Sequence, residues 1–295
     1  WMATTSREAM EDAELARVLL DEFKRIPDIL GPPLRFRPGR TALRLLPSYE
    51  QWAWDILTHG GRGEYWSQRG YAIDAYWSQH ADVPVLFQSG WYDTYPRGAL
   101  ANFNALRELK SSPMSLVMGP WRHGETTAEE STAGDVELGM EAALPSYEDM
   151  RLRFFDQHLK GLSTGLDDEV PIQYFVMGGQ LGRRPRDLSG RLWHGGRWES
   201  ANQWPPPDYV EFELYMHANG TLMNVPPDEI GEPTRYTFDP HHPVPTAGGS
   251  ISASEDVLPS GGFDQRGQPG RFHGHDDTLS LASRPDVVTF ETEPF

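Results

Sequence analysis

Two side chains in this chain have the types and placement of an acid–base couple. Asp93 follows the apolar run Val83-Pro84-Val85-Leu86-Phe87 and the stretch Gln88-Ser89-Gly90-Trp91-Tyr92. His123 follows Met114-Ser115-Leu116-Val117-Met118 and Gly119-Pro120-Trp121-Arg122, 30 residues further on. An imidazole titrates near neutrality and can take a proton from a nucleophile; a carboxylate behind it fixes its tautomer and stabilises its charged form. Such a couple serves acyl transfer through a hydroxyl nucleophile. The bland alternative makes Asp93 a helix cap and His123 a loop residue.

The elements that must position the pair can be read from the same stretch. Both apolar runs are too short for a membrane span and right for buried parallel strands. Between them Pro96 opens a helical pattern, with Leu100, Phe103 and Leu106 at i, i+3 spacing and Leu109 after them, ending near Ser111-Ser112-Pro113. Strand, helix, strand brings both side chains to one edge of a sheet, the carboxyl edge where open α/β sheets hold their catalytic groups. Acid before histidine is the order of the back half of a Ser…Asp…His triad in α/β-hydrolases. The front half, a G-x-S-x-G elbow ahead of the acid, is not found upstream of Asp93 in this sequence.

Composition narrows the function classes. With 26 basic and 43 acidic residues the net charge is −17, which argues against nucleic acid and anionic membrane as partners. The absence of cysteine excludes disulfide scaffolds, thiolate zinc sites and a cysteine nucleophile. No apolar run approaches the ~20 residues of a transmembrane helix. The compartment stays open, with the cytoplasm favoured over export. Trp1-Met2-Ala3-Thr4 reads as text from within a longer protein, without the charged leader and apolar core of a signal peptide. The length predicts two or three units, and a homo-oligomer is compatible with it.

In chain order, residues 5–26 read as one amphipathic helix carrying Leu15, Val18, Leu19, Phe23 and Ile26, stopped by Pro27. Pro32-Pro33 through Gly39 is a connector, and Arg40–Leu46 a short strand or extended loop. A second helix starts at Pro47 with Tyr49, Trp52, Ile56 and Leu57 on one stripe and Ser48 as its cap; His59–Gly63 breaks it. Tyr65-Trp66 through Tyr76-Trp77 is unusually aromatic, either packing a helical lid or lining a substrate pocket. Gly124–Glu141 reads as loop. Tyr147–Leu159 reads as helix, with Met150, Phe154, Phe155 and Leu159 on its buried side. From Glu169 the texture becomes all-β: strands are predicted at Val170–Met177, Arg191–His194, Tyr209–Met216 and Val287–Phe290. A sandwich needs more strands than these, so the chain is expected to be cut at both ends.

The wording around the pair is specific. Gly90-Trp91-Tyr92-Asp93 and Gly119-Pro120-Trp121-Arg122-His123 resemble the acid and histidine segments of the cocaine esterase/X-Pro dipeptidyl-peptidase family of serine hydrolases. Arg153-Phe154-Phe155-Asp156-Gln157-His158-Leu159-Lys160-Gly161 resembles that family's closing helix. Pro243–Gly249, Gly261–Arg266 and Asp286–Thr292 resemble segments of its C-terminal jelly-roll. The resemblance implies a mixed α/β fold: a helical cap segment over 1–80, the C-terminal half of an α/β-hydrolase core over 81–165, and the first part of a jelly-roll β-sandwich over 166–295. It implies a serine hydrolase of esters or amides, with Asp93 and His123 as triad acid and base and the serine upstream. The expected partner is a small-molecule ester, amide or peptide, together with the missing remainder of the polypeptide itself, and no cofactor.

Specificity differs from some relatives. Those that hydrolyse α-amino esters carry extra carboxylates just after the triad acid, whereas Thr94-Tyr95-Pro96 follows Asp93 here. Tyr95 falls where cocaine-esterase-like members put an aromatic against the acyl group; with Trp91 and Trp66 it forms the substrate-binding set. His241-His242 and His273-Gly274-His275-Asp276-Asp277 sit in Gly/Pro-rich text without helical ligand spacing, so no metal site is expected. Two other readings stay open. In one the chain is a non-catalytic fragment, or one chain of a processed hydrolase whose parent has X-Pro dipeptidyl-peptidase or acylase specificity. In the other an aspartate replaces the serine, as in dehalogenase chemistry.

Overall fold

The computed structural model describes residues 2–30, 36–144, 147–179, 190–229, 231–252, 258–265 and 280–294. It divides into two compact units, Trp1–Tyr76 with Phe238–Pro243, and Trp77–Thr237 with Val244–Phe295.

The first unit is helical: α1 (Arg7–Glu11), α2 (Ala13–Phe23), α3 (Ile26–Leu30) and α4 (Pro47–Thr58). The single helix expected over 5–26 is broken at Asp12. Its extended backbone ends α1, and its carboxylate accepts the N–H groups of Glu14 at 2.9 Å and Leu15 at 3.1 Å, opening α2. A short acidic side chain competes with the helix interior and satisfies an orphan N-terminus instead. Pro27 does not stop the run. It sits in the first turn of α3, where its missing N–H would have had no partner anyway. Ala42–Leu45 forms a 3₁₀ turn in place of the strand or loop, and α4 starts on Pro47 with no side-chain cap, so Ser48 lies inside the helix. Ala3, Ala9, Leu19, Ala42 and Leu46 make this unit's core.

The second unit is built on β1 (Val85–Tyr92), α5 (Pro96–Leu109), β2 (Met114–Arg122), β3 (Thr132–Ala133), β4 (Val136–Glu137), α6 (Tyr147–Lys160), β5 (Ile172–Met177), β6 (Leu192–Trp193), β7 (Gly196–Ala201), β8 (Tyr215–Met216) and β9 (Leu222–Met223). Its main sheet runs β1-β2-β5-β7. β1 and β5 flank β2 in parallel, with Val85 opposite Met114 and Leu116 opposite Ile172; β7 closes the order antiparallel to β5. Side chains alternate across β2. Met114, Leu116 and Met118 meet Phe103 and Leu106 of α5, while Val117 and Trp121 meet Ala128, Tyr147 and Met150 on the other face. A strand covered on both faces must be apolar throughout, which is why Met114–Met118 reads as an unbroken run.

Two sequence expectations change here. On α6 none of the expected stripe is fully buried: Met150 and Phe154 are half-buried, while Phe155 is 51% exposed and Leu159 77%. At about 100° per residue the last two lie far around the helix from Met150, off the face that packs. Beyond residue 169, β5 and β7 extend the parallel sheet instead of starting a sandwich. Of Tyr209–Met216 only the last two residues form a strand, paired with β9, and Tyr209, Val210 and Phe212 are exposed. Val287–Phe290 forms no strand; Glu291 beside it bridges Thr221. Among the described residues past Ala201 the strand pairing consists of the β8–β9 ladder and isolated bridges. Alternation fits a residue to a pleated surface but supplies no ladder partner, so it sets strands only where a neighbour exists.

Candidate active site

β1 and β2 end together, and the pair sits where they end. Asp93 is the first residue after β1 and turns back through its N–H to Gly90 O at 3.0 Å. His123 follows β2 directly. Its Nδ1 lies 3.1 Å from Asp93 Oδ2 and 3.2 Å from Oδ1. A carboxylate only accepts, so Nδ1 donates and Nε2 points away from Asp93. Asp93 also accepts from Thr94 Oγ1 and Tyr95 N, both at 3.3 Å on Oδ1. Its side chain is 13% exposed against 48% for His123. An anchored, shielded acid behind an imidazole open to solvent is the arrangement a proton-transfer base needs.

The approach of the strands depends on glycine. A Cβ on Gly90 would stand 2.2 Å from Trp121 O, and one on Gly119 2.2 Å from the Trp121 ring. The β1–β2 register shifts between Gly90 and Tyr92, where Tyr92 pairs Arg122. Behind His123, Thr127 Oγ1 donates to Arg122 O at 2.8 Å and Gly124 O at 2.7 Å, and the Arg122 guanidinium meets Glu130 at 2.6 Å. These contacts pin the histidine loop. A hydroxyl four residues past the histidine was its only sign in the sequence.

The pair opens onto a cleft of about 680 Å³ whose lining includes Gln88, Ser89, Tyr95, Arg97, Asn102 and Tyr147. Tyr95 stands at the mouth, 58% exposed, its ring edge-on to His123 at 5.3 Å between centroids. Trp91 does not line the cleft. It turns into the core, donating from Nε1 to Phe175 O at 2.8 Å and packing against Trp204. Trp66 belongs to the first unit, where it donates to His59 O and packs edge-on to Tyr65 and Tyr71. Tyr92 packs against Ala133 and Val136, and burial pushes its phenol above the ordinary tyrosine value. His241-His242 lies in exposed loop, and His273–Asp277 falls outside the described residues.

Fold and site together define a mixed α/β protein with an acid–imidazole couple at the carboxyl edge of a parallel sheet. Residues 33–125 match the family model of the X-Pro dipeptidyl-peptidase (S15 family). A cocaine esterase of Rhodococcus sp. (strain MB1 Bresler) is 27% identical over 221 residues, an alignment covering 72% of this chain and 33% of that protein. The solved structure of an α-amino acid ester hydrolase superposes with a TM-score of 0.57 at 23% identity, covering 86% of this chain and 38% of the other, a likeness of fold. Over residues 33–125 the chain is similar to the X-Pro dipeptidyl-peptidase (S15) family, and the two relatives are hydrolases. It spans about a third of the length of these relatives.

Proposed function

We propose that the chain supplies the acid and base of a serine hydrolase of ester or amide bonds. In this reading the parallel sheet is part of an α/β-hydrolase core, the N-terminal helices its cap, and the residues after β7 the start of a jelly-roll. The observation that carries it is the hydrogen bond from His123 Nδ1 to the shielded Asp93 carboxylate at the strand ends. Similarity to the S15 family model and to a cocaine esterase supports the reaction class.

The nucleophile in this reading is a serine outside the 295 residues: their one G-x-S-x-G string, Gly161-Leu162-Ser163-Thr164-Gly165, follows the end of α6 and not a strand. That external hydroxyl attacks the substrate carbonyl carbon while His123 Nε2 takes the proton. The tetrahedral intermediate expels the alcohol or amine, which receives that proton from His123, and an acyl-serine remains. Water, deprotonated by His123 in turn, releases the carboxylic acid and restores the serine. Asp93 keeps Nδ1 protonated and stabilises the imidazolium at both stages. Tyr95, edge-on to His123, borders the acyl group.

The test uses the polypeptide that carries both these residues and the elbow serine. His123→Ala is expected to lower kcat on a p-nitrophenyl ester by several orders of magnitude and to abolish labelling by a fluorophosphonate probe. Near-normal turnover by that variant would sink the assignment. Where the parent labels but hydrolyses only X-Pro peptides or acylated amines, the reaction stands and the substrate class narrows. Labelling of the 295 residues alone, at Ser89 for instance, would replace the external serine.

A further inference from the structure

We infer that the helical unit holds a small-molecule site of its own, a cavity that takes one neutral aliphatic molecule with a single hydroxyl head, such as a medium-chain alcohol. The inference concerns the first compact unit alone and is independent of the hydrolase reading.

The cavity follows from the sequence of that unit. Leu19 and Phe23 of α2, Ile26 and Ile29 of α3, and Trp52 and Ile56 of α4 all line one space of about 380 Å³. Both α2 and α4 pack on the 3₁₀ turn Ala42–Leu45, and the core beside them is made mostly of small side chains, Ala3, Ala9 and Ala42. Alanines cannot fill the gap between the apolar stripes. Phe23, Ile26, Ile29 and Ile56 therefore stay half-buried. An apolar space of this kind holds water poorly and takes up apolar guests, and its volume lies in the range of small-molecule sites. Trp52 and Leu57 line it while 39% and 41% exposed, so it opens to solvent on the α4 side.

A buried hydroxyl supplies the second observation. Thr41 lines the same cavity, is 5% exposed, and its Oγ1 has no hydrogen-bond partner. It stands at the N-cap of the 3₁₀ turn without making a cap bond, so local structure gives the hydroxyl no use. Buried hydroxyls are bonded in folded proteins, and an orphan in a cavity wall marks a place where a guest completes the bonding. A hydroxyl both donates and accepts, and another hydroxyl matches it.

Charge decides between an alcohol and a fatty acid. Glu22 is the one charged side chain among the described lining residues. A carboxylate guest would enter an apolar space beside that acid, with no cation to hold it, in a chain of net charge −17. A neutral head meets no such cost.

Calorimetry on the 295-residue chain tests this with 1-hexanol, 1-heptanol, 1-octanol and octanoate. One 1-octanol is expected per chain, and each added methylene is expected to tighten binding about threefold to fourfold. Octanoate is expected to bind at least about tenfold more weakly than 1-octanol, a gap that Glu22→Lys closes. Thr41→Val should weaken 1-octanol about fivefold by removing the hydrogen bond. Ala53→Phe, which fills the cavity from α4, should abolish binding while the protein melts at or above the parent temperature. Binding unmoved by Ala53→Phe, or octanoate held as tightly as 1-octanol, overturns the inference. So does a self-association of the chain that Ala53→Phe abolishes, which would give the cavity to a second copy. The same titration on the polypeptide bearing the elbow serine is expected to retain the site. Loss of binding there would assign the cavity to the rest of that polypeptide and overturn the inference, while ester hydrolysis stands.

Discussion

Two glycines eight residues apart should respond to alanine with opposite signs. Gly90 lies in β1, where an added Cβ would stand 2.2 Å from Trp121 O and 2.8 Å from Trp121 C. Ordinary contact begins near 3.4 Å, so the β1–β2 ladder must open by about 1 Å, against backbone that no rotamer change can move. Forced overpacking of this kind costs about 3 kcal/mol. For a unit of this size that is a fall in Tm of about 6–12 °C. Gly98, in the first turn of α5, has nothing within 4 Å of its Cβ position and no left-handed backbone. There alanine only removes unfolded-chain freedom, a gain of about 0.5–1 kcal/mol and a rise of about 1–4 °C. Melting followed by circular dichroism on both variants measures the pair of shifts. A Gly90→Ala protein melting within 2 °C of the parent would refute the close approach on which the Asp93 turn depends. So would a Gly98→Ala protein that loses as much as Gly90→Ala.

The remaining expectations concern the pair, the core and the acid limb. In the polypeptide bearing the serine, Asp93→Asn is expected to lower kcat by about 10³–10⁴, because an amide no longer fixes the His123 tautomer; retention of a tenth of the activity would show that His123 is oriented by something else. Phe103→Ala, at a site with 0% exposure, should cost about 3–5 kcal/mol, whereas Leu159→Gln, at 77% exposure, should fall within about 0.5 kcal/mol of the parent. Urea titrations of the two variants check this, and comparable losses would contradict the packing of α5 and α6. Asp82 accepts the N–H groups of Ser112 at 2.8 Å and Ser111 at 3.1 Å, bonds that hold its carboxyl below the ordinary value. A depressed carboxyl contributes its full stability above the unfolded value of about 3.9 and loses it as pH falls through the folded one. The Tm gap between parent and Asp82→Asn should therefore be open at pH 7 and close below about pH 4; a gap constant with pH would remove those bonds from the account.

What could be read in the sequence divides along a physical line. β1, α5 and β2 were legible because each is set locally: apolar runs covered on both faces, a proline at N1, leucines and a phenylalanine at helical spacing. The Asp93–His123 pairing followed, since consecutive strands of one crossover end at the same edge. Features settled by distant partners were not legible. β5 alternates as well as any sandwich strand, but its partner is β2, more than 50 residues earlier in the chain. Tyr209–Leu214 alternates too and pairs with nothing among the described residues. Trp91 stands two residues before the acid, as a pocket aromatic might be placed, yet the register shift between Gly90 and Tyr92 accompanies its turn into the core. The reacting groups could therefore be found from spacing, while what packs around them had to come from the fold.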